Sequence, residues 1–398
     1  MRLGIYGGTF SPPHIGHVEA AEAFYRELKL DKLLIIPTFI PPHKVSKDDA
    51  SAADRLNMCK LAFSHIPNTE VSDIEIKRGG KSYTYMTLEE LTKEGVELYF
   101  LCGTDMILTF DQWKRYEYIF MLATICYARR ETDRENDLKI GEKIGQYKKL
   151  DAKIVKVEHN VTEVSSSDIR ASVTCGSNKF LNKNVAEYIN RFGLYGVELN
   201  FDKLSLFAKA NMSEKRFKHT LGVVKAAEKI AESLSPELKN KAKICAYLHD
   251  VTKEKNQWEL VKRYGISLSD DDLRSPETLH ALTAPPYIEE HLREYSVFEI
   301  LSAIKTHTTG SPDMTLLGKI LFVADFIEEN RVYESSKIVR EQLYSDLESN
   351  DLEYRLSSLD KAALSSIDYT VSHLTNKNKP IHNLTLETRD CLKSSRGN

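Results

Sequence analysis

Short apolar runs alternate with helical stretches over roughly the first half of the chain. Five runs have the length and composition of buried strands: LGIYGG (3–8), KLLIIPTF (32–39), VELYFLCG (96–103), ATICYARR (123–130) and KIVKVEH (153–159). Segments with a helical spacing of apolar residues separate most of them, as in HVEAAEAFYRELKL and TYMTLEELTKEG. Strands that alternate with helices predict an α/β fold with a doubly wound parallel sheet.

The pattern changes near residue 200. Beyond about residue 201 no convincing strand follows, and helical periodicity dominates, for example in RFKHTLGVVKAAEKIAESL and LLGKILFVADFIEENR. The GLYG segment before this point can end a helix and turn the chain. The sequence therefore predicts two domains, an α/β domain at 1–197 and an all-α domain at 198–394.

Composition narrows the class of protein. The 398 residues are 41% hydrophobic, which is enough for two cores, and the formal net charge of −3 gives no basic field for nucleic acid or an anionic membrane. No apolar run approaches the roughly 20 residues of a membrane span, and the start of the chain reads directly into a strand rather than a signal peptide. The six scattered cysteines form no CxxC pair, as in reduced cytosolic proteins. We expect a cytoplasmic protein; its oligomeric state is left open.

The segment GGTFSPPHIGH follows the first predicted strand. Gly7 and Gly8 lack Cβ atoms, so a phosphate can approach the backbone closely there. His14 and His17 are three residues apart at the start of the first predicted helix, whose N-terminus attracts anions. Two imidazoles at that position can hydrogen-bond phosphate oxygens and stabilise charge in a transition state.

This segment resembles the HxGH signature of the nucleotidyltransferase superfamily, most closely that of the nicotinate-nucleotide adenylyltransferases. Further segments are similar to that family in the same order along the chain: PPHK (41–44), KSYTYMTLEEL (81–91), LCGTDM (101–106) with Trp113, and VSSSDIR (164–170). The resemblance covers about residues 1–196. It implies transfer of AMP from ATP to nicotinate mononucleotide, with Mg²⁺ arriving as the ATP complex, and release of deamido-NAD and pyrophosphate.

The resemblance also implies residue roles. His14, His17, Lys44 and Arg170 are the expected catalytic residues, acting on the phosphates. ATP would be bound by these histidines and Arg170 together with Gly7, Gly8, Thr9, Phe10, Gly103, Asp105, Ser165, Ser166 and Ser167. Nicotinate mononucleotide would be bound by Lys44, Tyr83, Thr84, Tyr85 and Trp113. One departure is Met86, where the family commonly carries an acidic residue, which puts one hydrogen bond near the acceptor in doubt.

Histidines and aspartates of the helical half form a second candidate site. His249 and Asp250 are adjacent, and His219, His280, His307 and Asp325 lie in helical segments that otherwise read as buried and apolar. A carboxylate in such surroundings usually needs a metal or another cation beside it. Neutral imidazoles with carboxylates are typical ligands of iron or zinc, and Asp250 is placed to bridge two metals.

The order H…HD…H…H…D resembles the HD-domain phosphohydrolases, and the fuller pattern is similar to the bacterial HD-type symmetrical diadenosine-tetraphosphatases over about residues 200–392. That resemblance implies a binuclear centre of iron, with Asp250 as a catalytic residue, that hydrolyses diadenosine tetraphosphate to two ADP. Lys253 and Arg331 are candidates for binding the polyphosphate. Pro285 and Pro286 replace a small pair after the fourth ligand and are expected to kink that helix.

Two alternatives for the helical half remain open. It can be a nucleotide-sensing module that regulates the transferase, or a hydrolase of a different phosphate compound. The complete set of six ligands favours an enzyme over a sensor, because a sensor would be free to lose ligands.

Overall fold

The computed structural model describes residues 1–40, 50–129, 134–158 and 162–394. The chain divides into two compact units, Met1–Glu198 and Leu199–Asn398. In the described ranges, no helix is both long enough and apolar enough to cross a membrane.

The first unit contains a six-stranded, fully parallel sheet with the order β3-β2-β1-β4-β5-β6. Its strands are β1 (Arg2–Gly8), β2 (Lys32–Pro37), β3 (Thr69–Val71), β4 (Glu97–Gly103), β5 (Ala123–Ala128) and β6 (Ile154–Val157). Its helices are α1 (Ile15–Glu27), α2 (Ala52–Phe63), α3 (Ile74–Arg78), α4 (Thr84–Leu91), α5 (Thr104–Thr109), α6 (Tyr116–Leu122), α7 (Arg134–Lys148), α8 (Ser166–Val173) and α9 (Lys183–Phe192). The predicted doubly wound α/β fold is confirmed.

Both faces of the sheet are buried, as a parallel sheet between helices requires. On β2, Leu34 and Ile36 belong to the core layer that includes Phe100 and Ile125. The alternate residues Leu33 and Ile35 are fully buried as well, and strand geometry places them on the opposite face. This double burial explains why the strands read as continuous apolar runs in the sequence.

The strand order reverses between β1 and β4. After β1 the chain adds β2 and then β3 on one side of it. The chain then returns and adds β4, β5 and β6 on the other side of β1. Parallel sheets of this kind bind ligands in the crevice beyond the carboxyl ends of the strands at that reversal. Gly7 and Gly8 end β1 and Gly103 ends β4, so the two glycine-bearing segments of the sequence meet at the expected crevice.

The second unit is helical throughout its described part. Its helices are α10 (Asp202–Ala210), α11 (Glu214–Leu234), α12 (Lys239–Leu248), α13 (Gln257–Tyr264), α14 (Asp270–Arg274), α15 (Leu279–His291), α16 (Phe298–Thr306), α17 (Leu316–Ile327), α18 (Glu334–Asp346), α19 (Leu352–Asn376) and α20 (Asn383–Ser394). Helices α11, α12 and α17 pack against one another, and α17 is apolar nearly all round because it lies in the middle of the unit. The predicted all-α character is confirmed.

The two prolines of α15 do not end that helix. Pro285 and Pro286 lie inside α15, which runs without a break from Leu279 to His291. Proline has no N–H, so the carbonyls one turn earlier lose their helical partners. Packing of α15 against α13 and α16 holds the helix together at this point.

Candidate functional sites

A cavity of about 1330 Å³ opens at the reversal point of the sheet in the first unit. It is large enough for two nucleotide-sized ligands. The predicted residues in its wall are Gly7, Gly8, Thr9, Phe10, His14, His17, Tyr83, Thr84, Asp105, Trp113, Ser165, Ser166, Ser167 and Arg170. Segments that are far apart in the sequence therefore meet around one space.

His14 and His17 lie side by side at the start of α1. Their ring centroids are 3.8 Å apart, and both side chains are largely buried. The backbone N–H of His14 donates to His17 Nδ1 at 3.2 Å. An Nδ1 that accepts carries no proton, so neutral His17 bears its hydrogen on Nε2 and can donate it to a phosphate oxygen.

The helix start itself offers fewer N–H donors than the sequence suggested. The N–H of Ile15 donates to Phe180 O at 3.0 Å, and that of His17 donates to His14 O at 2.9 Å. Two of the first N–H groups of α1 are therefore engaged within the protein. Attraction of an anion here depends mainly on the imidazoles and the helix dipole.

Packing fixes the HxGH loop in place. Phe10 adopts a left-handed backbone conformation with φ of 51°, and its ring packs edge-on against His17 at 5.1 Å and against Phe63 at 5.7 Å. A Cβ on Gly16 would lie 3.3 Å from Thr162 O and 3.4 Å from the His14 ring. The glycine between the two histidines thus allows the imidazole and a neighbouring backbone to approach closely.

The VSSSDIR segment is braced against this loop. Arg170 donates from Nη1 to Ser11 O at 2.8 Å and from Nη2 to Ser167 Oγ at 3.1 Å, and Ser166 Oγ donates to Pro12 O at 3.1 Å. A capping box between Ser165 and Asp168 sets the start of α8. The Arg170 guanidinium is therefore held in the same wall as the histidines.

Aromatic and hydroxyl side chains line the opposite end of the cavity. Tyr83 caps α4, Thr84 is its first residue, and the first turn of this helix contains no acidic residue. Trp113 stacks on Phe110 with ring centroids 4.7 Å apart, and Lys114 Nζ lies 4.5 Å from the centroid of the Tyr83 ring. A flat, electron-poor ring with an anionic group suits these surroundings.

Three predicted residues of this site lie elsewhere or are not described. Tyr85 is absent from the cavity wall and packs against the core of the sheet. Gly103 lines a small adjoining cavity shared with Gly16 and His17. Lys44 lies outside the described residues.

Glu75 is a cavity residue that the sequence did not reveal. It is buried on α3, and its Oε1 accepts the Thr87 hydroxyl at 2.6 Å, while Arg78 Nη2 donates to the same hydroxyl at 2.8 Å. Thr87, the residue after Met86, thus makes a hydrogen bond with a carboxylate from another helix in the cavity wall. A Glu and an Arg three residues apart on a short helix gave no signal that separates them from surface charges.

The second unit brings all six predicted ligands to one place. His219 lies on α11, His249 and Asp250 follow the end of α12, and His280 lies in the first turn of α15. His307 follows α16, and Asp325 lies near the end of α17. Three ligands therefore lie on helices and three directly follow a helix end, among helices that pack against one another.

Each of the four histidines uses its Nδ1 for a structural hydrogen bond. His249 Nδ1 lies 2.7 Å from Ala246 O, His280 Nδ1 3.0 Å from Glu277 O, and His307 Nδ1 2.6 Å from Ile304 O. His219 Nδ1 lies 3.2 Å from Glu328 Oε1. Donation from Nδ1 leaves the lone pair on Nε2, which is the usual arrangement of a metal-binding histidine.

The four Nε2 atoms converge on the two oxygens of Asp250. His219 and His249 lie 3.9 and 3.4 Å from Oδ2, and His280 and His307 lie 3.2 and 3.7 Å from Oδ1. Asp325 joins His219 and His249, because its Oδ1 lies 3.0 Å from His219 Nε2. We call the set of His219, His249, Asp250 Oδ2 and Asp325 the His219 half, and the set of His280, His307 and Asp250 Oδ1 the His280 half.

These atoms fit a metal pair. The ligand atoms of His219, His249 and Asp250 lie within 4.8 Å of one another, as do those of Asp250, His280 and His307. The Nε2 atoms of His280 and His307 face each other at 3.1 Å. Imidazole nitrogens and carboxylate oxygens that converge in this way are a typical ligand set for a metal cation.

The carboxylates of the cluster are strongly acidic. Burial by itself would raise the pKa of Asp250, but the charge of His249 and hydrogen bonds from the surrounding histidines hold that pKa well below its usual value. Against the same effect of burial, the Arg331 charge and the hydrogen bond from His219 keep the pKa of Asp325 well below normal. Both carboxylates are therefore ionised and ready to bind a cation at neutral pH.

The histidines of the two halves differ. Burial lowers the pKa of His219, but hydrogen bonds with Asp325 and Glu328 outweigh it and raise that pKa to about 9. At His280 burial dominates and lowers the pKa to about 4. The carboxylates around His219 therefore favour a positive charge in the His219 half, whereas burial disfavours one at His280.

Three cations surround the cluster. Arg331 Nη2 lies 2.8 Å from Asp325 Oδ1, and Lys253 Nζ lies 3.0 Å from His280 Nε2. Both side chains therefore lie beside the cluster, and their role in binding a polyphosphate stays a prediction. Burial lowers the pKa of Lys253. Arg216, which the sequence analysis missed, lies 3.0 Å from Asp250 Oδ2. Its position one turn before His219 on α11 was the available signal.

The two halves of the chain match different protein families. Residues 5–172 match the family described as cytidylyltransferase-like, and residues 216–330 match the HD domain. A probable nicotinate-nucleotide adenylyltransferase of Desulfatibacillum aliphaticivorans is 38% identical over 215 residues, which cover 49% of this chain and 100% of the relative. One from Thermoanaerobacter sp. (strain X514) is 37% identical over 201 residues, covering 49% of this chain and 94% of the relative.

A solved structure is similar to one half of the chain. It is a predicted HD superfamily hydrolase involved in NAD metabolism from Clostridium acetobutylicum, with 30% identity, a TM-score of 0.43, and coverage of 50% of this chain and 98% of that chain. The curated relatives align with the α/β unit over almost their whole length, at 38% and 37% identity. The chain belongs to the nicotinate-nucleotide adenylyltransferase family through its first half and carries an HD domain in its second.

Proposed function

We propose that the first unit transfers the adenylyl group of ATP to the phosphate of nicotinate mononucleotide, forming deamido-NAD and pyrophosphate. The observation that carries this proposal is the pair His14–His17 at the reversal point of the sheet, in a cavity large enough for two nucleotide-sized ligands. The relatives named as nicotinate-nucleotide adenylyltransferases support it across the whole unit.

The chain's own groups supply binding and charge stabilisation. The acceptor phosphate attacks the α-phosphorus of ATP in line, and pyrophosphate leaves, without a covalent enzyme intermediate. His17 Nε2–H donates to a phosphate oxygen, with its Nδ1 held by the His14 backbone, and Arg170 adds charge from the same wall. Since the reaction needs no nucleophile from the protein, positioning and electrostatics account for catalysis. Mg²⁺ enters with ATP, and Lys44 is proposed as a further cation for the polyphosphate.

The first unit is expected to work alone. A fragment of residues 1–197 contains the complete sheet and every described residue of the cavity wall, so it should fold and form deamido-NAD from ATP and nicotinate mononucleotide. The measurement is product formation by chromatography beside the full-length chain. A folded but inactive fragment, next to an active full-length chain, would contradict the proposal that the domains are independent.

The acceptor is expected to be the acid rather than the amide. Thr84 and the first turn of α4 present a hydroxyl and a positive helix end, and the Glu75 carboxylate is balanced by Arg78 at 3.8 Å. We expect kcat/KM for nicotinate mononucleotide to exceed that for nicotinamide mononucleotide by about 100-fold or more, or about 2.7 kcal/mol.

A pair of threonine variants tests this assignment. Thr84→Val removes the hydroxyl from the cavity and should shrink the preference, mainly through a higher KM for the acid. Thr92→Val removes a hydroxyl that bonds to Leu88 O at the other end of α4 and should leave the ratio unchanged. Equal rates with the two mononucleotides in the unmodified chain would contradict the proposed acceptor.

For the second unit we propose hydrolysis of a dinucleoside polyphosphate, diadenosine tetraphosphate, to two ADP at a binuclear metal centre of iron. The convergence of four imidazole Nε2 atoms on both oxygens of one buried carboxylate carries this proposal. A bound metal pair supplies an activated water and polarises the phosphoryl group. The three cations Arg216, Lys253 and Arg331 suit a substrate with several negative phosphates.

Two measurements on the purified full-length chain test this function. Elemental analysis identifies the bound metal, and a panel of diadenosine tetraphosphate, other phosphoanhydrides and phosphomonoesters identifies the substrate. We expect two metal ions per chain, and two ADP as the products of diadenosine tetraphosphate. A metal-free chain that binds this nucleotide without cleaving it would favour the regulatory module, and cleavage of another compound alone would replace the substrate.

A further inference from the structure

The four histidines of the cluster are not equivalent in what lies behind them. His249, His280 and His307 each place Nδ1 against the backbone carbonyl three residues earlier, at 2.7, 3.0 and 2.6 Å. His219 places Nδ1 against the Glu328 carboxylate at 3.2 Å. A carboxylate behind an imidazole makes Nε2 a stronger electron donor than a neutral carbonyl does.

The fold holds Glu328 in this position from several directions. Its side chain is buried, and its Oε2 accepts from the backbone N–H of Asn330 at 2.7 Å and from Asn330 Nδ2 at 2.9 Å. Arg340 Nη1 donates to the backbone carbonyl of Glu328 at 2.9 Å. The carboxylate is therefore oriented by contacts other than the one to His219.

A glycine provides the space for this carboxylate. Gly222 lies one turn after His219 on α11, and a Cβ at that position would come within 2.1 Å of Glu328 Oε2. Real Cβ atoms do not approach so closely, so any other residue at 222 would push the carboxylate away. Gly222 and Glu328 thus depend on each other in the folded unit, although they lie far apart in the sequence.

The two halves of the cluster differ in the number of their ligands. The His219 half offers four side chains, those of His219, His249, Asp250 and Asp325, and Arg216 and Arg331 partly balance its carboxylates at 3.0 and 2.8 Å. Among the described residues, the His280 half offers three side chains, those of His280, His307 and Asp250, and Lys253 Nζ lies 3.0 Å from His280 Nε2. A position with more ligands, and with one more carboxylate among them, binds a divalent cation more tightly.

We propose that the two metal positions differ in affinity, with a tight position in the His219 half and a weaker one in the His280 half, and that Glu328 is the positioning residue responsible through His219. This inference rests on the proposed binuclear site. Glu328 does not contact the metal; it orients His219 and raises its basicity. Removal of such a carboxylate is expected to weaken metal binding at that position by about 10- to 100-fold.

Titration of the metal-stripped full-length chain with Co²⁺ alone tests the proposal. Calorimetry gives the affinities and stoichiometry, and visible absorption reports each metal as it binds. In the unmodified chain we expect two steps, the first at least about tenfold tighter than the second. Glu328→Gln should weaken the first step by about 10- to 100-fold and leave the second unchanged.

Further variants distinguish the effect of the Glu328 carboxylate on metal binding from a general loss of folding. Gly222→Ala keeps the carboxylate but displaces it from His219, so it should weaken the same step even if Glu328→Gln does not fold. Glu329→Gln removes an exposed neighbouring charge and should change neither step. His280→Ala should remove the second step and preserve the first.

The outcomes separate this inference from the function on which it rests. Two metals that bind with equal affinity, or a Glu328→Gln variant that weakens both steps alike, would overturn the inequality and leave the binuclear site standing. Fewer than two metals in the unmodified chain would overturn the binuclear site and this inference together.

Discussion

Replacing His17 with alanine is expected to lower kcat for adenylyl transfer by about 10²- to 10³-fold, or roughly 3–4 kcal/mol of transition-state stabilisation. His17 is the histidine whose Nδ1 is fixed by a backbone N–H, so its Nε2–H has a defined direction toward the phosphates. The loss should appear mainly in kcat, because charge on the phosphate oxygens grows as the leaving group departs. Steady-state kinetics with ATP and nicotinate mononucleotide provide the measurement.

Three controls belong to this experiment. Hydrolysis by the second unit of the same variant should be unchanged. Thermal unfolding of residues 1–197 with and without the substitution should also agree, which shows that the first unit is folded. His65→Ala changes an exposed histidine that pairs with Glu22 and should leave both activities intact. Near-normal transfer by His17→Ala would remove His17 from the phosphate site.

Replacing Asp250 with alanine is expected to abolish metal retention and hydrolysis together. Each oxygen of this carboxylate faces a different pair of histidines, so its removal takes a ligand from both halves at once. The measurements are metal content after purification and ADP release from diadenosine tetraphosphate. Transfer by the first unit serves as the internal control and should be preserved.

Asp250→Asn refines this test. It keeps the shape of the side chain but removes the charge that pairs with Arg216 and the histidines, so metal should still be lost while the fold is retained. Either variant with full metal content would mean that the ligands have been assigned to the wrong residues.

The crevice of the first unit was predictable because its residues lie in continuous segments. Gly7 to His17 span the end of β1 and the start of α1, and a short stretch of sequence therefore fixes their geometry. The strand β3 was missed because it has three residues, Thr69–Val71, too few for a periodic pattern to appear. It forms because β2 offers an edge to pair with.

The ligands of the second unit were predictable as a set, whereas their supporting residues were not. Four histidines and two aspartates in apolar helices are unusual enough to be noticed in a sequence. Glu328, Arg216 and Gly222 look like ordinary residues of charged or small character until the helices are packed. Their roles depend on which helix faces match, and that is decided by tertiary packing rather than by local sequence.

The placement of the two tryptophans has a practical consequence. The chain contains only two, and each unit holds one: Trp113 stacks on Phe110 in the wall of the nucleotide cavity, and Trp258 is about half exposed on α13. Each unit therefore has its own intrinsic fluorophore, with emission from a packed ring in one and a hydrated ring in the other. In a Trp258→Phe chain, quenching of the remaining indole would report acceptor binding directly, without a label or a coupled assay.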